Sequence, residues 1–268
     1  MQRQILIIDD HDDLAISLND VLSHLGHSVS IMTRREDALA ISDLTKFDLV
    51  IADLDVDPQV GIPVREGNAV YVPAYSPDSK DNHVRAFKIC GANYRNEGYD
   101  EIELRELVAV ILDYKIRFVD KTEVVKSLFE SIEFELPSGI ELMHVVLDYL
   151  MKRVEKLGVI KPEQSNLFVA LDEAFVNAVK HGNKFDSEKR IRIAAEVSPT
   201  EAKFTIEDEG EGFDVRNIPD PLDPENLFKT SGRGVLFIYN IMDKVEYNER
   251  GNRLTMIKKA DHDQAQQT

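Results

Sequence analysis

The stretch 162–181 constrains this chain more than any other, because its periodicity is helical while nearly its whole circumference is apolar. Leu167, Phe168, Val169, Leu171, Phe175, Val176 and Val179 leave few positions for water, so this helix has to pack among other elements. Glu173 and Asn177 stand four residues apart within it, and Lys180 follows three later. That spacing puts all three on one helical face. A polar stripe on a buried helix costs free energy unless its groups find partners. A ligand carrying phosphates and a divalent cation would supply them. A solvated helix face is the alternative reading of the same residues.

Downstream, a strand over 203–208 runs into DEGEGFD, with Asp208, Gly210 and Gly212 at alternating positions. Glycines there admit unusual backbone angles and let a ligand approach closely. A carboxylate at a strand end can accept a hydrogen bond from an amino group such as that of adenine. Further on, SGRGVLFIYNIMD places Gly232, Arg233 and Gly234 at the start of a helix, where backbone N–H groups and the macrodipole favour phosphate. Each motif alone is weak. In this order and spacing they are specific together.

With its E-x-x-x-N-x-x-x-H-G helix (Glu173, Asn177, His181, Gly182), residues 132–258 resemble the Bergerat-fold ATPases shared by histidine kinases and gyrase. Within that group they look most like the anti-sigma serine kinases of bacterial partner switching. The lid stretch IPDPLDPENLFKTSGRG and the following FIYNIMDKVEYNERGNRLTM fit that subfamily. The resemblance implies an ATP site with Mg2+ held by Asn177, Glu173 as general base and Asp208 on adenine. Gly210, Gly212, Gly232 and Gly234 would frame the nucleotide and its lid, with Lys180, Thr230 and Arg233 as further phosphate contacts.

The first half is organised differently. Ile5-Leu6-Ile7-Ile8 is a continuous apolar run, as a parallel strand covered on both faces requires. Further strands are expected at 29–31, 49–52 and 69–72, with a weak one at 92–95. Helices are expected at 14–25, 35–44 and 81–90. Strand–helix alternation of this kind predicts a doubly wound parallel sheet. Asp9 and Asp10 end the first strand and Asp53 the third, so the three converge at the carboxyl edge, where such folds place ligands. Gathered carboxylates need a divalent cation, and oxygen ligands suit Mg2+.

Residues 1 to about 116 resemble response-regulator receivers, a flavodoxin-like fold. ILIIDD matches the acidic pair, FDLVIADLDV the strand bearing the phosphorylated aspartate, and Gly91-Ala92 the turn before the last strand. The resemblance implies phosphorylation of Asp53 by an upstream sensor histidine kinase, with Mg2+ on Asp9, Asp10 and Asp53. It departs at Pro73, where receivers carry Thr or Ser, and at 94–98, where they carry Lys-Pro. Glu97 near that slot would oppose a phosphoryl group. A receiver kept only for docking or dimerising is the alternative.

A helical pattern runs from 101 to 131. Its first part, with Leu104, Leu107, Val108, Ile111 and Leu112, fits the last receiver helix, and 117–131 reads as a helical connector. The ATPase domain then occupies 132–260 as an α+β sandwich, a mostly antiparallel sheet with helices on one face. Residues 261–268 form a polar tail. The formal net charge of −17 argues against nucleic-acid and membrane binding, because such a surface repels phosphate backbones and anionic lipid. Cys90 is the sole cysteine, which fits a reducing compartment. With no signal peptide or membrane span in the sequence, the expected location is cytoplasmic.

These features together predict a protein-serine/threonine kinase of the anti-sigma type. Its partner would be a STAS-domain anti-anti-sigma protein, with a sigma factor as a second one, and the chain would be a homodimer. Two alternatives stand beside it: a docking module with a structural nucleotide, and an atypical histidine kinase. His144 is the one histidine placed for the latter, and its flanks do not match a phosphotransfer hairpin. His11, His24, His27 and His83 show no metal-ligand spacing.

Overall fold

The structure, a computed structural model, describes residues 2–10, 14–34, 44, 46–56, 84–92, 100–120, 129–161, 166–215 and 233–260. It divides into two units, Met1–Pro137 and Ser138–Thr268. Among the described residues no helix is long and apolar enough to cross a membrane.

In the N-terminal unit, β1 (Gln4–Asp9) lies between β2 (Ser28–Met32) and β3 (Leu49–Val56), parallel to both. Ile5, Leu6, Ile7 and Ile8 are all buried, as a strand covered on both faces requires. Leu6 and Ile8 pack with Phe47, Val50, Ala52 and Leu54. Helix α1 (Ala15–His24) follows β1, and α2 (Glu101–Tyr114) continues into a π-helical turn, Lys115–Val119. Asp100 caps α2 by accepting from the N–H groups of Ile102 and Glu103, which satisfies two otherwise orphan donors.

The sequence expectation needs two corrections here. The helix expected at 81–90 is strand β4 (Val84–Gly91), antiparallel to β3 and parallel to β5 (Phe129–Pro137). The sheet of this unit is therefore mixed. The apolar residues of β4 also fit a helical period, and full-length pairing with a strand on each side overrides so weak a signal. The expected connector, 117–131, differs at its end: residues 129–131 belong to β5, continuing the expected strand in which Ile132, Phe134 and Leu136 alternate with Glu133 and Glu135, while 121–128 lie outside the described residues. Glu133 stands opposite Lys88 on β4 and forms a buried ion pair with it at 3.0 Å. The strand expected at 69–72 and residues 35–43 and 93–95 lie outside the described residues.

The C-terminal unit has a sheet ordered β6 (Arg190–Val197), β7 (Glu201–Asp208), β9 (Arg253–Lys259), β8 (Lys244–Tyr247), antiparallel throughout. Alternate residues of β6 and β7 are buried, the pattern of a sheet with one covered face. Its helices are α3 (Glu141–Lys156), α4 (Leu167–Asn177) with a π-helical continuation Ala178–Gly182, and α5 (Arg233–Ile241). This is the expected α/β sandwich. Asp208 falls in phase with the buried Ala202, Phe204 and Ile206, so the strand period itself turns a carboxylate toward the helices.

Asp53 is fully buried within β3, level with Asp9 at the end of β1. Arg85 donates to both of its oxygens at 3.0 Å, and the Lys115 ammonium lies 2.8 Å away. Burial pushes the Asp53 carboxyl up, but the Lys115 charge and the Arg85 hydrogen bonds outweigh it and hold it below the ordinary carboxylate value. A lowered folded-state value means stability that is present above the ordinary carboxylate range and lost as pH falls through the lowered value. Asp53→Ala leaves the buried Lys115 and the partly buried Arg85 without this partner, a loss of about 3–5 kcal/mol. Hydrogen exchange of the β1 and β3 amides in the full chain should accelerate accordingly.

Candidate functional site

The π-helical turn that prolongs α4 brings its last residues over β7 and β9, and a cavity of about 340 Å³ opens between them. That is within the range of small-molecule sites. Asn177, at the end of α4, and His181 and Gly182 line it from the helix side. Asp208, Glu211, Gly212 and Phe213 line it from β7 and the loop beyond, and Tyr247, Asn252 and Leu254 from the β8–β9 hairpin. Val235, in the first turn of α5, adds a further wall. Phe213 and Tyr247 meet edge to face at 5.3 Å. Burial pushes the Tyr247 phenol up to about 12, so this aromatic wall is uncharged at neutral pH.

The glycines are where contacts demand them. A Cβ on Gly182 would collide with the Asp208 carboxylate, and one on Gly210 with the Gly182 carbonyl. Gly212 has φ 76° and abuts the Arg250 carbonyl, so it needs both the left-handed conformation and the missing side chain. A Cβ on Gly234 would overlap the Glu173 carboxylate. Glu173 therefore lies against the first turn of α5, where the backbone N–H groups and helix dipole favour negative charge.

The structure thus brings Asn177, Asp208 and Gly212 to one cavity, with Gly210 behind it and Glu173 and Gly234 in mutual contact. Lys180 is exposed and does not line the cavity; the π turn changes the angular step after Asn177, and Lys184 lines the wall instead. Arg233 opens α5. Thr230 and Gly232 lie outside the described residues, as do Pro73 and Glu97.

Sequence reasoning missed Lys184, Phe213, Tyr247 and Asn252. The signal for Asn252 was present, since it continues the inward phase of Leu254 and Met256 along β9 and is a polar residue at an apolar slot.

The acidic trio of the N-terminal unit is arranged differently from the expected metal site. Asp9 and Asp53 are register neighbours on β1 and β3. Asp9 accepts from the N–H groups of Leu14 and Ala15 and so caps α1, Asp53 is engaged by Arg85 and Lys115, and Asp10 is exposed. Among the described residues no three His, Cys, Asp or Glu side chains are grouped to hold a metal ion. Both Asp53 oxygens and Asp9 Oδ2 are thus already engaged within the protein. In the C-terminal cavity the donor set fits, because Mg2+ commonly takes one or two protein oxygens and completes its shell with phosphates and water.

The histidine kinase-like ATPase domain matches residues 136–258. The anti-sigma F factor of Clostridium perfringens is 32% identical over 104 residues, which cover 36% of this chain and 73% of that protein. The chain belongs to the anti-sigma factor family of histidine kinase-like ATPases. The serine-protein kinase RsbW of Staphylococcus epidermidis is 29% identical over 142 residues, 50% of this chain and 89% of the relative. RsbW of Oceanobacillus iheyensis is 29% identical over 100 residues, 35% and 63% of the two chains. The ATPase match begins at residue 136, so it covers most of the C-terminal unit together with the end of β5.

Burial holds the Asp208 carboxyl above its ordinary value, opposed by the Gly210 N–H and the Arg250 charge. A raised folded-state value means that this group's contribution to stability falls as pH rises from the ordinary carboxylate value through the raised one. Asp208→Asn should therefore raise the apo Tm at neutral pH while weakening Mg-ATP binding at least about tenfold. Thermal scans with and without Mg-ATP read both effects.

Proposed function

We propose that this chain is a protein-serine/threonine kinase of the anti-sigma type, transferring the γ-phosphoryl group of ATP to a hydroxyl of a STAS-domain anti-anti-sigma protein. The observation that carries the reading is the convergence in one unit of a cavity lined by Asn177 and Asp208 with Glu173 set against the start of α5. Asp208 would accept a hydrogen bond from the amino group of adenine, with Phe213 and Tyr247 as the apolar wall beside the base. Asn177 would hold Mg2+ together with the nucleotide's phosphates, and the first N–H groups of α5 suit a phosphate. Bound Mg-ATP supplies the transferable group and neutralises the charge that develops on it. The chain's own residues orient the reactants and move one proton, which Glu173 accepts from the attacking hydroxyl.

The names of the relatives, a serine-protein kinase and an anti-sigma F factor, support this chemistry over phosphotransfer to histidine. They also support a sigma factor as second partner. A homodimer is part of the same proposal.

The N-terminal unit would be the input. In a receiver reading, a sensor histidine kinase phosphorylates Asp53, and Lys115 beside it would meet the added charge. A second reading is favoured by a specific observation: Asp53 is fully buried with both oxygens engaged by Arg85 and Lys115. On that reading the unit docks or dimerises without phosphorylation. Acetyl phosphate separates the two, since only the receiver reading adds one phosphoryl group to the wild type that Asp53→Asn lacks.

Full-length protein with Mg-ATP and its STAS-domain partner should yield phosphoserine or phosphothreonine. Glu173→Gln should reduce the rate by roughly 10²- to 10⁴-fold while ATP affinity stays within about threefold. Full phosphorylation by the variant would remove Glu173 as the base, and no phosphorylation by the wild type would sink the kinase reading.

A further inference from the structure

The carboxylate of Asp208 is held by the N–H of Gly210 at 2.8 Å, so its direction depends on how firmly the backbone beneath it is fixed. Two asparagines do that fixing. Asn252 donates from Nδ2 to the Asp208 carbonyl at 2.7 Å. Asn183 accepts at Oδ1 from the N–H of Glu209 at 2.9 Å. That carbonyl and that N–H are the two ends of one planar peptide group, which is therefore pinned from both sides. The Asp208 N–H in turn donates to the Asn252 carbonyl at 3.0 Å.

Each asparagine is itself immobilised. Asn183 is fully buried and donates from Nδ2 to the Arg190 carbonyl at 2.9 Å. Asn252 is buried and receives a bond from Asn248 Nδ2 at 3.0 Å. Arg250 of the same hairpin donates to the Gly210 carbonyl at 2.7 Å.

We infer that Asn252 and Asn183 are positioning residues that set the base preference of the site, by clamping the Asp208–Glu209 peptide so that the carboxylate meets a ring amino group and rejects a ring carbonyl. This rests on the reading of Asp208 as the adenine contact. Adenine presents an amino donor where guanine presents a carbonyl acceptor. A fixed carboxylate facing that carbonyl leaves two acceptors opposed and unpaired, which is the strongest form of discrimination available to a small site. A carboxylate free to swing away loses that penalty first.

The experiment is titration of Mg-ATP and Mg-GTP into the full chain, comparing the ratio of the two Kd values. Wild type should favour ATP, and Asp208→Ala should abolish the preference. Asn252→Ala and Asn183→Ala should each lower the ratio about tenfold with the circular dichroism spectrum retained. Asn183→Asp, which keeps the acceptor for Glu209, should preserve the ratio; a purely structural role through Arg190 would predict the opposite. If Asn252→Ala does not fold, Asn252→Asp, equal in shape but lacking the donor, is read in its place. A preference that depends on Asp208 yet survives both alanine variants overturns the inference alone. No preference in wild type, or one that survives Asp208→Ala, overturns the adenine reading and the inference with it.

Discussion

Asp208 is the last inward-facing residue of β7, and its carboxylate has to be accommodated at the edge of an apolar layer. Much of the C-terminal unit's local geometry follows from that demand. Gly182 has no side chain because the carboxylate occupies the space a Cβ would need. Gly210 supplies the N–H that bonds it. The β8–β9 turn is folded back by Asn248, whose Oδ1 accepts from the N–H groups of Gly251, Asn252 and Arg253, and so delivers Asn252 to the strand end. Among the described residues no close ion pair neutralises the charge, which leaves it available to a ligand and costs stability in the empty protein.

Asp53 in the N-terminal unit shows the opposite solution to the same problem. It too is a carboxylate on a buried strand, but Arg85 and Lys115 neutralise it within the chain. Lys115 is shared with Asp120 at 3.1 Å and lies over the Phe87 ring. The β4 strand that carries Arg85 runs antiparallel to β3, so its N-terminal end reaches the carboxyl edge of β3. A parallel strand would bring its other end there. The change in strand direction and the internal cation at Asp53 are thus one structural fact.

The C-terminal unit was the more legible half of the sequence. The positions of α4, β7 and the start of α5, the mostly antiparallel sheet and the residues Glu173, Asn177, Asp208 and Gly212 follow from periodicities and motifs that local and tertiary forces both favour. What stayed hidden there depends on angles that spacing does not express. The π turn after Asn177 carries Lys180 outward and ends near Lys184, whose φ of 58° no residue pattern announces. In the N-terminal unit the apolar residues of 84–91 fit two periods equally well, and only strand partners remote in sequence decide between them. The ion cluster at Asp53 joins residues up to 62 positions apart, beyond the reach of any local reading.

The central claim is that the cavity beneath α4 is a nucleotide site organised by Asn177 and Asp208. Calorimetric titration of Mg-ATP into wild-type protein and an Asn177→Ala variant tests it most directly. Saturable binding to wild type that weakens at least about tenfold in the variant is the predicted result. Equal binding by both proteins, or none by the wild type, would contradict it.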